Sequence, residues 1–209
     1  MKFEIKYPLP PFQSDDFLKI KSTIEHFPLA TIITQQDLIP CVSQVPLFLV
    51  EEQIKTKSVT KLVGHFDNNN RHIAAFVENA NVYCLFHGPN HYMSPSIYPI
   101  EQFPGWNFVT VHIEGKVKLI SDLERLREHL ILLGERNEPV DSTYRLKKTQ
   151  SNFDKFSKQV TGFEIEILTA NAVIKLAQDK GPELVQMAKR HLASLSQRDQ
   201  TPYLDEMLS

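Results

Sequence analysis

The sequence predicts an antiparallel β-barrel of the α+β class with helices at its periphery. Residues 108–120 give the clearest strand, because Val109, Val111 and Ile113 alternate with polar neighbours, a pattern that buries one face. Six or seven strands, roughly, cluster in the middle of the chain, and helices flank them. Strands and helices do not alternate regularly, which argues against a doubly wound parallel sheet.

The N-terminal half contains the first predicted helix and four predicted strands. Residues 1–12 are expected to be extended, because their prolines exclude a helix. A helix is expected to begin at the Ser14 cap and to end before Pro28. A short helix is expected through Ile73 and Phe76. The strands are expected at residues 29–34, 39–50, 59–66 and 81–86, with a turn at 35–37, a polar connection at 51–58 and a loop at 87–95.

The C-terminal half alternates strands with two longer helices. After the strand at 108–120, a helix is expected from Leu123 to about Gly134. Two strands follow at 161–167 and 172–176, with a turn at Asn171. The last helix is expected to begin near Pro182, and residues 202–209 form a tail. We interpret residues 1–209 as a single domain, with an N-terminal arm at 1–13 and a C-terminal helix and tail at 181–209.

Composition excludes several classes of protein. Hydrophobic residues make up 42% and charged residues 23%, as in globular proteins, and the net charge is -2, without the basic excess of a nucleic-acid-binding protein. We find no helix-turn-helix pattern and do not expect direct DNA binding. No apolar run approaches the ~20 residues of a membrane span, and no secretory signal is present, so we expect a cytoplasmic protein. Cys41 and Cys84 are expected to be buried, reduced thiols.

The common catalytic signatures are absent: we find no GxSxG, P-loop, GxGxxG or HExxH motif. His87 and His91 stand four residues apart, but Gly88 and Pro89 between them argue against a helical metal pair, so no metal is predicted. Glu164 and Glu166 are expected on a solvated sheet face. Three stretches remain as ligand-binding candidates: residues 86–98, residues 103–115, and residues 160–167 with 175–179.

These three stretches, in this order, carry a family resemblance. FHGPNHYMSPSIY at 86–98 resembles FxGPHAYISPSWY, and PGWNFVTVHIEG at 104–115 resembles PTWNYxAVHxxG. Residues 27–34, 43–47, 64–65, 160–167 and 175–179 match further segments of the same pattern. With these segments in this order, the chain resembles the PaiB-type family of FMN-binding negative transcriptional regulators over most of its length.

The resemblance implies a flavin-reductase-like split β-barrel that forms a homodimer, with FMN in a groove at the subunit interface. It implies a phosphate site formed by Lys175, Gln178 and Ser43, with Arg71, one turn after the family's basic position, as a substitute for that basic residue. It implies a ring pocket lined by Trp106, Asn107, Tyr92, His87 and His91. His65 is a further matching position, and Gln44 occupies the place of a family histidine.

The chain departs from the family pattern mainly where the phosphate would bind. Gln44 replaces a histidine, Asp67 and Asn68 stand where the family has Ala-Arg, and Ala177 replaces a serine. A flavin phosphate carries close to two negative charges and requires cationic or N–H donors. We therefore expect a partly degenerate phosphate site.

Two alternatives to an FMN-binding regulator stay open. The first is a dimeric scaffold of the same fold that has lost the cofactor. The second is a flavin-dependent oxidoreductase or a haem-handling split-barrel protein, in which His65, His87 or His91 could act as ligands or proton donors. The sequence identifies no catalytic residue and leaves open whether the protein is an enzyme.

Overall fold

A computed structural model describes residues 9–54, 57–195 and 207. The strands in this part of the chain are β1 (Gln13–Ser14), β2 (Leu29–Gln36), β3 (Ile39–Pro46), β4 (Phe48–Ile54), β5 (Lys57–Asp67), β6 (Asn81–Met93), β7 (Gly105–Leu119) and β8 (Val160–Lys175). The helices are α1 (Phe17–His26), α2 (Leu123–Asn137), α3 (Phe153–Ser157) and α4 (Pro182–Leu195). Short 3₁₀ helices cover Pro10–Phe12, Arg71–Ala75 and Pro95–Ile97.

The strands form one mainly antiparallel sheet that does not close on itself. Its strand order is β3-β2-β6-β7-β8-β5-β4, and β1 pairs with β8. β2 pairs antiparallel with β3 over its whole length and with β6 from Ala30 to Ile33. β5 pairs antiparallel with both β4 and β8. The predicted fold class, a β-rich α+β protein with peripheral helices, is confirmed.

The described chain divides into two compact units. The larger unit comprises residues 15–87 and 111–172, and the smaller unit comprises residues 9–14, 88–110 and 173–195 together with Met207. Residues 1–8 and most of the predicted tail at 202–209 lie outside the described residues.

The core of the larger unit is built around three phenylalanine rings. Phe66 lies 5.0 Å from both Phe76 and Phe163 between ring centroids, and all three are buried. A second buried cluster lies under α2 and contains Leu126, Leu130, Phe153 and Val160. One face of α2 is therefore apolar and packs on the core, as in other amphipathic helices.

The smaller unit has its own apolar cluster. Met93, Ala177 and Ala188 are buried in it, and Tyr98 and Leu192 pack against them. The predicted helix at Pro182 is confirmed, since α4 begins at that residue and contributes Ala188 and Leu192. The cluster therefore combines residues of β6, of α4 and of the segment that follows β8.

Several predicted boundaries in the first half of the chain are wrong. The expected strand at 39–50 is divided at Leu47 into β3 and β4. The expected connection at 51–58 contains the C-terminal end of β4, to Ile54, and the N-terminal end of β5, from Lys57. The expected loop at 87–95 is wrong because β6 continues to Met93. Pro89 is tolerated there, because the pairing of β6 with β2 ends at Phe86 and no β2 partner needs its missing N–H.

Boundaries near the ends of helices also differ. The cap of α1 is Asp16, whose carboxylate accepts from the Leu18 N–H at 2.9 Å, whereas Ser14 lies in β1. α2 runs past Gly134 to Asn137 and ends because Pro139 forces Glu138 into an extended conformation. No turn forms at Asn171, since β8 is continuous from Val160 to Lys175. Residues 10–12 form a 3₁₀ turn instead of extended chain.

The β2–β3 hairpin turns at two residues with left-handed backbone. Asp37 has φ 47° and Leu38 has φ 67°, so the turn lies at residues 37–38 instead of the predicted 35–37, and both glutamines belong to β2. Two-residue hairpin turns with positive φ at both positions favour Asn-Gly or Asp-Gly. Leucine at this position carries a conformational cost of about 1–2 kcal/mol.

Leu38→Gly is therefore expected to stabilise the protein by about 1 kcal/mol. The Leu38 side chain is 88% exposed, so little packing is lost with it. Urea unfolding followed by circular dichroism measures the change. Leu38→Ala is the control, because alanine keeps the Cβ and should leave stability nearly unchanged. Equal effects of both substitutions would contradict the strain argument.

Among the described residues, no helix is both long and apolar enough to cross a membrane. Cys41 and Cys84 are free thiols in this structure; Cys84 is buried as predicted, whereas Cys41 is partly exposed, so the burial predicted for it is wrong. Burial raises the pKa of the Cys84 thiol to about 12, so this sulfur is a core group and not a nucleophile.

Candidate functional site

The predicted site residues are distributed over both units. The larger unit contains Ser43, Gln44, His65, Arg71 and His87, and the smaller unit contains His91, Tyr92, Trp106, Asn107, Lys175 and Gln178.

Ser43 belongs to a group of four polar residues, which we call the His72 cluster: Thr34, Ser43, Asn70 and His72. The Ser43 Oγ lies 3.0 Å from the His72 Nδ1 and 3.1 Å from the Asn70 Nδ2, which donates to it. The His72 Nε2 lies 2.8 Å from the Thr34 Oγ1. Asn70 also caps the 3₁₀ helix at Arg71–Ala75, because its Oδ1 accepts from the His72 N–H at 2.9 Å.

The His72 ring is buried between aromatic neighbours. Its centroid lies 5.3 Å from that of Phe66 and 5.8 Å from that of Phe76. Burial lowers the pKa of His72, so the imidazole is neutral near pH 7 and offers one donor and one acceptor. Sequence analysis did not identify this residue. The sequence contains one local signal for it. Asn70 is an N-cap candidate, and the side chain of an N-cap residue accepts from the backbone N–H two residues later, which is that of His72.

Arg71 follows Asn70 directly and is exposed. It makes no hydrogen bond or ion pair with any residue that the structure describes. Gln44, the neighbour of Ser43 on β3, is also exposed. In the larger unit, the Arg71 guanidinium therefore has no polar partner among the described residues. Arg71 directly follows Asn70, whose side-chain amide donates to Ser43.

The departures at Asp67 and Asn68 are explained by a local loop network. The Asp67 Oδ1 accepts from the backbone and the side-chain N–H of Asn69, both at 2.8 Å. The Asn68 Nδ2 donates to the Lys158 carbonyl oxygen at 2.9 Å, and its Oδ1 accepts from Thr161 at 2.8 Å. These side chains close the turn after β5, so they are engaged by the protein itself.

His65 and His87 occupy different surroundings within the larger unit. His65 lies on β5 and lines a small apolar pocket with Gly64 and Leu126, where burial lowers its pKa. His87 is exposed on β6, and its Nε2 lies 3.5 Å from the Thr31 Oγ1. Within the described ranges, no group of three or more His, Cys, Asp or Glu side chains is placed to hold a metal ion.

Tyr83 and His112 form a further polar pair in the larger unit. The Tyr83 Oη lies 2.5 Å from the His112 Nδ1. The pKa of His112 is lowered by burial and by the nearby His87, and the pKa of Tyr83 is raised by burial and by Glu114. The two residues come from β6 and β7, and no sequence motif predicted their pairing.

The smaller unit contains the predicted ring-binding residues. Tyr92 and Trp106 are each 51% exposed, and their ring centroids lie 6.4 Å apart at an interplanar angle of 62°. Asn107 is 6% exposed, and its Nδ2 has no hydrogen-bond partner among the described residues. A buried amide donor without a partner is costly unless a ligand or a water satisfies it. His91, on β6, is partly exposed.

Lys175 and Gln178 differ in how the protein uses them. Lys175, at the end of β8, is partly exposed and has no polar partner in the part of the chain described. The Gln178 Oε1 accepts from the Leu176 N–H at 2.7 Å, and its Nε2 donates to the carbonyl oxygens of Pro11 and Ile174. Gln178 therefore closes the segment after β8, whereas the ammonium group of Lys175 is unused.

Acidification is expected to destabilise the protein through its buried histidines. Burial lowers the pKa values of His65, His72, His112 and His129 below the ordinary value of 6.5. Folding therefore favours their neutral forms, and this stabilisation is complete above pH 6.5 and is lost as the pH falls below it. Melting temperatures should be flat from about pH 8 to pH 7 and should fall towards about pH 5. A pH-independent melting temperature in that lower range would contradict the burial of these rings.

Comparison with known proteins gives the family. Residues 6–169 match the family model described as "Putative FMN-binding domain". The chain belongs to this family. It is 26% identical over 163 residues to the "Protease synthase and sporulation protein PAI 2" of Bacillus subtilis (strain 168). The aligned region covers 78% of this chain and 77% of that protein. The chain is also 26% identical over 87 residues to the "Uncharacterized protein YKL070W" of Saccharomyces cerevisiae, covering 39% of this chain and 50% of that protein.

Solved structures confirm the fold. The flavocytochrome Anf3 from Azotobacter vinelandii matches with a TM-score of 0.58 and 18% identity, over 82% of this chain and 71% of that one. An FAD and heme binding protein from Mycobacterium smegmatis matches with a TM-score of 0.60 and 14% identity, over 85% and 80%. The split-barrel prediction and the PaiB-type resemblance are confirmed, and FMN is the cofactor that the family supports.

The residues present fit a flavin. Two donors at motif positions make no hydrogen bond among the described residues, the ammonium of Lys175 and the buried Nδ2 of Asn107, and the exposed guanidinium of Arg71, three residues after the family's basic position, is also without a partner among them. Exposed aromatic faces at Tyr92 and Trp106 suit contact with a flat heterocycle. The fit is chemical and is made within each unit separately.

Proposed function

We propose that this protein is an FMN-binding, homodimeric protein of the PaiB type that acts in the cytoplasm in negative regulation of transcription. The observation that supports FMN binding is the buried Nδ2 of Asn107, a donor at a motif position that has no partner among the described residues; Lys175 and Arg71 add cationic groups that are also unpaired among them. Folded proteins rarely leave a buried donor unsatisfied without a functional reason. The phosphate and the carbonyl oxygens of FMN supply the acceptors that these groups lack.

Each donor type has a separate task in this proposal. Arg71 and Lys175 supply positive charge for a phosphate, and a guanidinium also donates two parallel hydrogen bonds to it. The Asn107 amide donates to a carbonyl oxygen of the ring. Tyr92 and Trp106 contact apolar ring surface and exclude water from it. Bound FMN would supply one- and two-electron redox chemistry, and these residues would hold and orient it.

Titration with FMN tests the proposal, and the protein carries its own probe. Trp106 is the single tryptophan, so intrinsic fluorescence reports on one candidate contact. We expect saturable quenching by FMN, and a loss of affinity of roughly tenfold in Arg71→Ala and in Lys175→Ala. Arg190→Ala, which removes an exposed arginine of α4, is the matched control and should leave the affinity unchanged. Quenching that is linear and unsaturable would refute FMN binding.

The homodimer is supported by exposed apolar residues at the β2–β3 edge of the sheet. Ile39 and Val42 on β3 are 67% and 58% exposed, and Leu29 on β2 is 53% exposed. An edge strand with exposed apolar side chains is a common protein–protein contact surface. Light scattering should give a mass of about twice 24.1 kDa, and Val42→Asp should shift it towards the monomer. A wild-type mass of one chain would contradict the dimer.

The regulatory role is proposed without direct DNA contact. The most basic helical segment, Lys189-Arg190-His191, is short, and the chain has a net charge of -2. Sequence-specific protection of DNA by the purified protein would overturn this part of the proposal.

A cofactor-free dimeric scaffold is the second candidate. The loop at 67–69 favours it, because Asp67 and Asn68 are engaged in closing the turn at a place where the family pattern has a basic residue. The FMN titration separates the two candidates, since stoichiometric binding excludes the scaffold.

A further inference from the structure

We propose that His72 is a positioning residue that directs the Ser43 hydroxyl proton out of the His72 cluster, towards an anionic oxygen of a phosphate group. This inference deepens the proposed function, and its phosphate part rests on that function. It concerns Thr34, His72, Ser43 and Asn70, all within the larger unit.

The first step concerns the tautomer of His72, which Thr34 decides. The Thr34 side chain is buried, and His72 is its hydroxyl's hydrogen-bond partner among the described residues. If the His72 Nε2 carried the proton, it would donate to the Thr34 Oγ1, and the Thr34 O–H would be buried without an acceptor. A buried donor without a partner is costly. The favourable arrangement has Thr34 donating to a bare Nε2, so the proton of the neutral imidazole resides on Nδ1.

The second step concerns the Ser43 oxygen. With the proton on Nδ1, His72 donates to the Ser43 Oγ over 3.0 Å. The Asn70 Nδ2 donates to the same oxygen over 3.1 Å, so both acceptor positions of the hydroxyl are filled. The Asn70 amide cannot reverse at no cost, because its Oδ1 holds the His72 N–H at 2.9 Å.

The third step concerns the Ser43 proton, which has two possible acceptors. One is the Asn70 Oδ1, at 3.3 Å the longest contact in the cluster and already an acceptor for the His72 N–H. The other is a ligand oxygen, since Ser43 is only partly buried. The cluster therefore presents an O–H donor, and Arg71, the residue after Asn70 in the chain, supplies an exposed guanidinium. A hydroxyl and a guanidinium together suit a phosphate oxygen.

The tautomer can be measured in the protein without any ligand. Long-range ¹H–¹⁵N NMR of the imidazole, assigned by the loss of its signals in His72→Phe, distinguishes the two neutral forms. We expect the Nδ1–H form in the wild type and a mixture of forms in Thr34→Val, which lacks the hydroxyl. An Nε2–H form in the wild type would overturn the inference, because the Ser43 proton would then be donated to His72.

The ligand part is measured as the ratio of riboflavin to FMN dissociation constants. These ligands differ in the phosphate, so the ratio isolates its contribution. We expect Ser43→Ala and His72→Phe each to lower the ratio by roughly tenfold, with riboflavin affinity unchanged and no further loss in the double variant. Ser121→Ala, at an exposed serine, is the control. An equal loss of affinity for both ligands in His72→Phe would indicate a structural role and overturn the inference.

Failure of the proposed function is a separate outcome. If neither flavin binds the wild type, the proposed function fails, and the inference is then decided by titration with inorganic phosphate together with the tautomer. Phosphate should shift the Ser43 amide resonance in the wild type and should not do so in His72→Phe. The same shift in both proteins would overturn the positioning role.

Discussion

Glu164→Ala is expected to lower the free energy of unfolding by about 3–5 kcal/mol. The Glu164 side chain is only 5% exposed and lies at the centre of a charged network in the larger unit. Its Oε1 lies 3.0 Å from the Lys61 Nζ and 2.7 Å from an Arg125 guanidinium nitrogen. Glu52 completes the network by bonding both cations, and Lys61 lowers the pKa of its carboxyl.

The expected loss is large because the substitution leaves cations that the fold has removed from water. The Lys61 side chain is 8% exposed, so without Glu164 its charge has only the partly exposed Glu52 as a partner. Breaking a buried pair from one side costs more than the pair itself contributes. Arg125 is 37% exposed and can reach solvent, so most of the cost is assigned to Lys61.

Glu166→Ala is the matched control for this prediction. Glu166 stands two residues further along β8, is exposed, and should cost less than about 0.5 kcal/mol. Urea unfolding of both variants measures the difference. Equal losses would show that burial of the network contributes little to stability.

Gly115→Ala is expected to cost about 1–3 kcal/mol or more. A Cβ at this position of β7 would lie 2.5 Å from the Glu166 carbonyl oxygen and would also overlap the Ile165 Cγ2. The first of these contacts is with backbone, which can move away only by separating two strands of the sheet. The cost therefore arises from overpacking, because the φ of Gly115 is not positive.

Gly105→Ala on the same strand tests the overpacking argument. Nothing lies within 4 Å of a Cβ at Gly105, so alanine there should leave stability unchanged or raise it slightly. Thermal unfolding compares the two substitutions. A loss of the same size at both glycines would mean that backbone preference, and not space, determines the effect.

Alternation of apolar and polar residues predicted the strands well but did not predict what covers them. It located β7, where the buried and exposed positions follow the sequence pattern. It placed Glu164 and Glu166 together on a solvated face, and for Glu164 this is wrong. Arg125 on α2 reaches Glu164, and a strand's own period contains no information about a helix that packs on it.

Glycine, proline and asparagine predicted breaks in two strands, β6 and β8, that are continuous in the structure. Gly88 and Pro89 indicated a loop, yet β6 continues through both; because its pairing with β2 ends at Phe86, the missing N–H of Pro89 leaves no β2 acceptor unsatisfied. The close approach of Val109 to Gly88, at 3.0 Å from a Cβ, accounts for glycine at that point. Asn171 likewise suggested a turn within what is one continuous strand.

The candidate site was predicted in part. Motif order identified the exposed aromatic residues Tyr92 and Trp106 and the unpaired Lys175. It could not identify His72, whose role depends on hydroxyls from β2 and β3 that are distant in sequence. The assignment of Gln178 to phosphate binding stays a prediction, and its amide is occupied by backbone groups in this structure.

The most direct test of FMN binding is the number of flavins bound per chain at saturation, measured by equilibrium dialysis of the purified full-length protein. We expect saturation at about one FMN per chain with a dissociation constant in the micromolar range or below. Absence of saturable binding at tens of micromolar FMN, roughly, would contradict it.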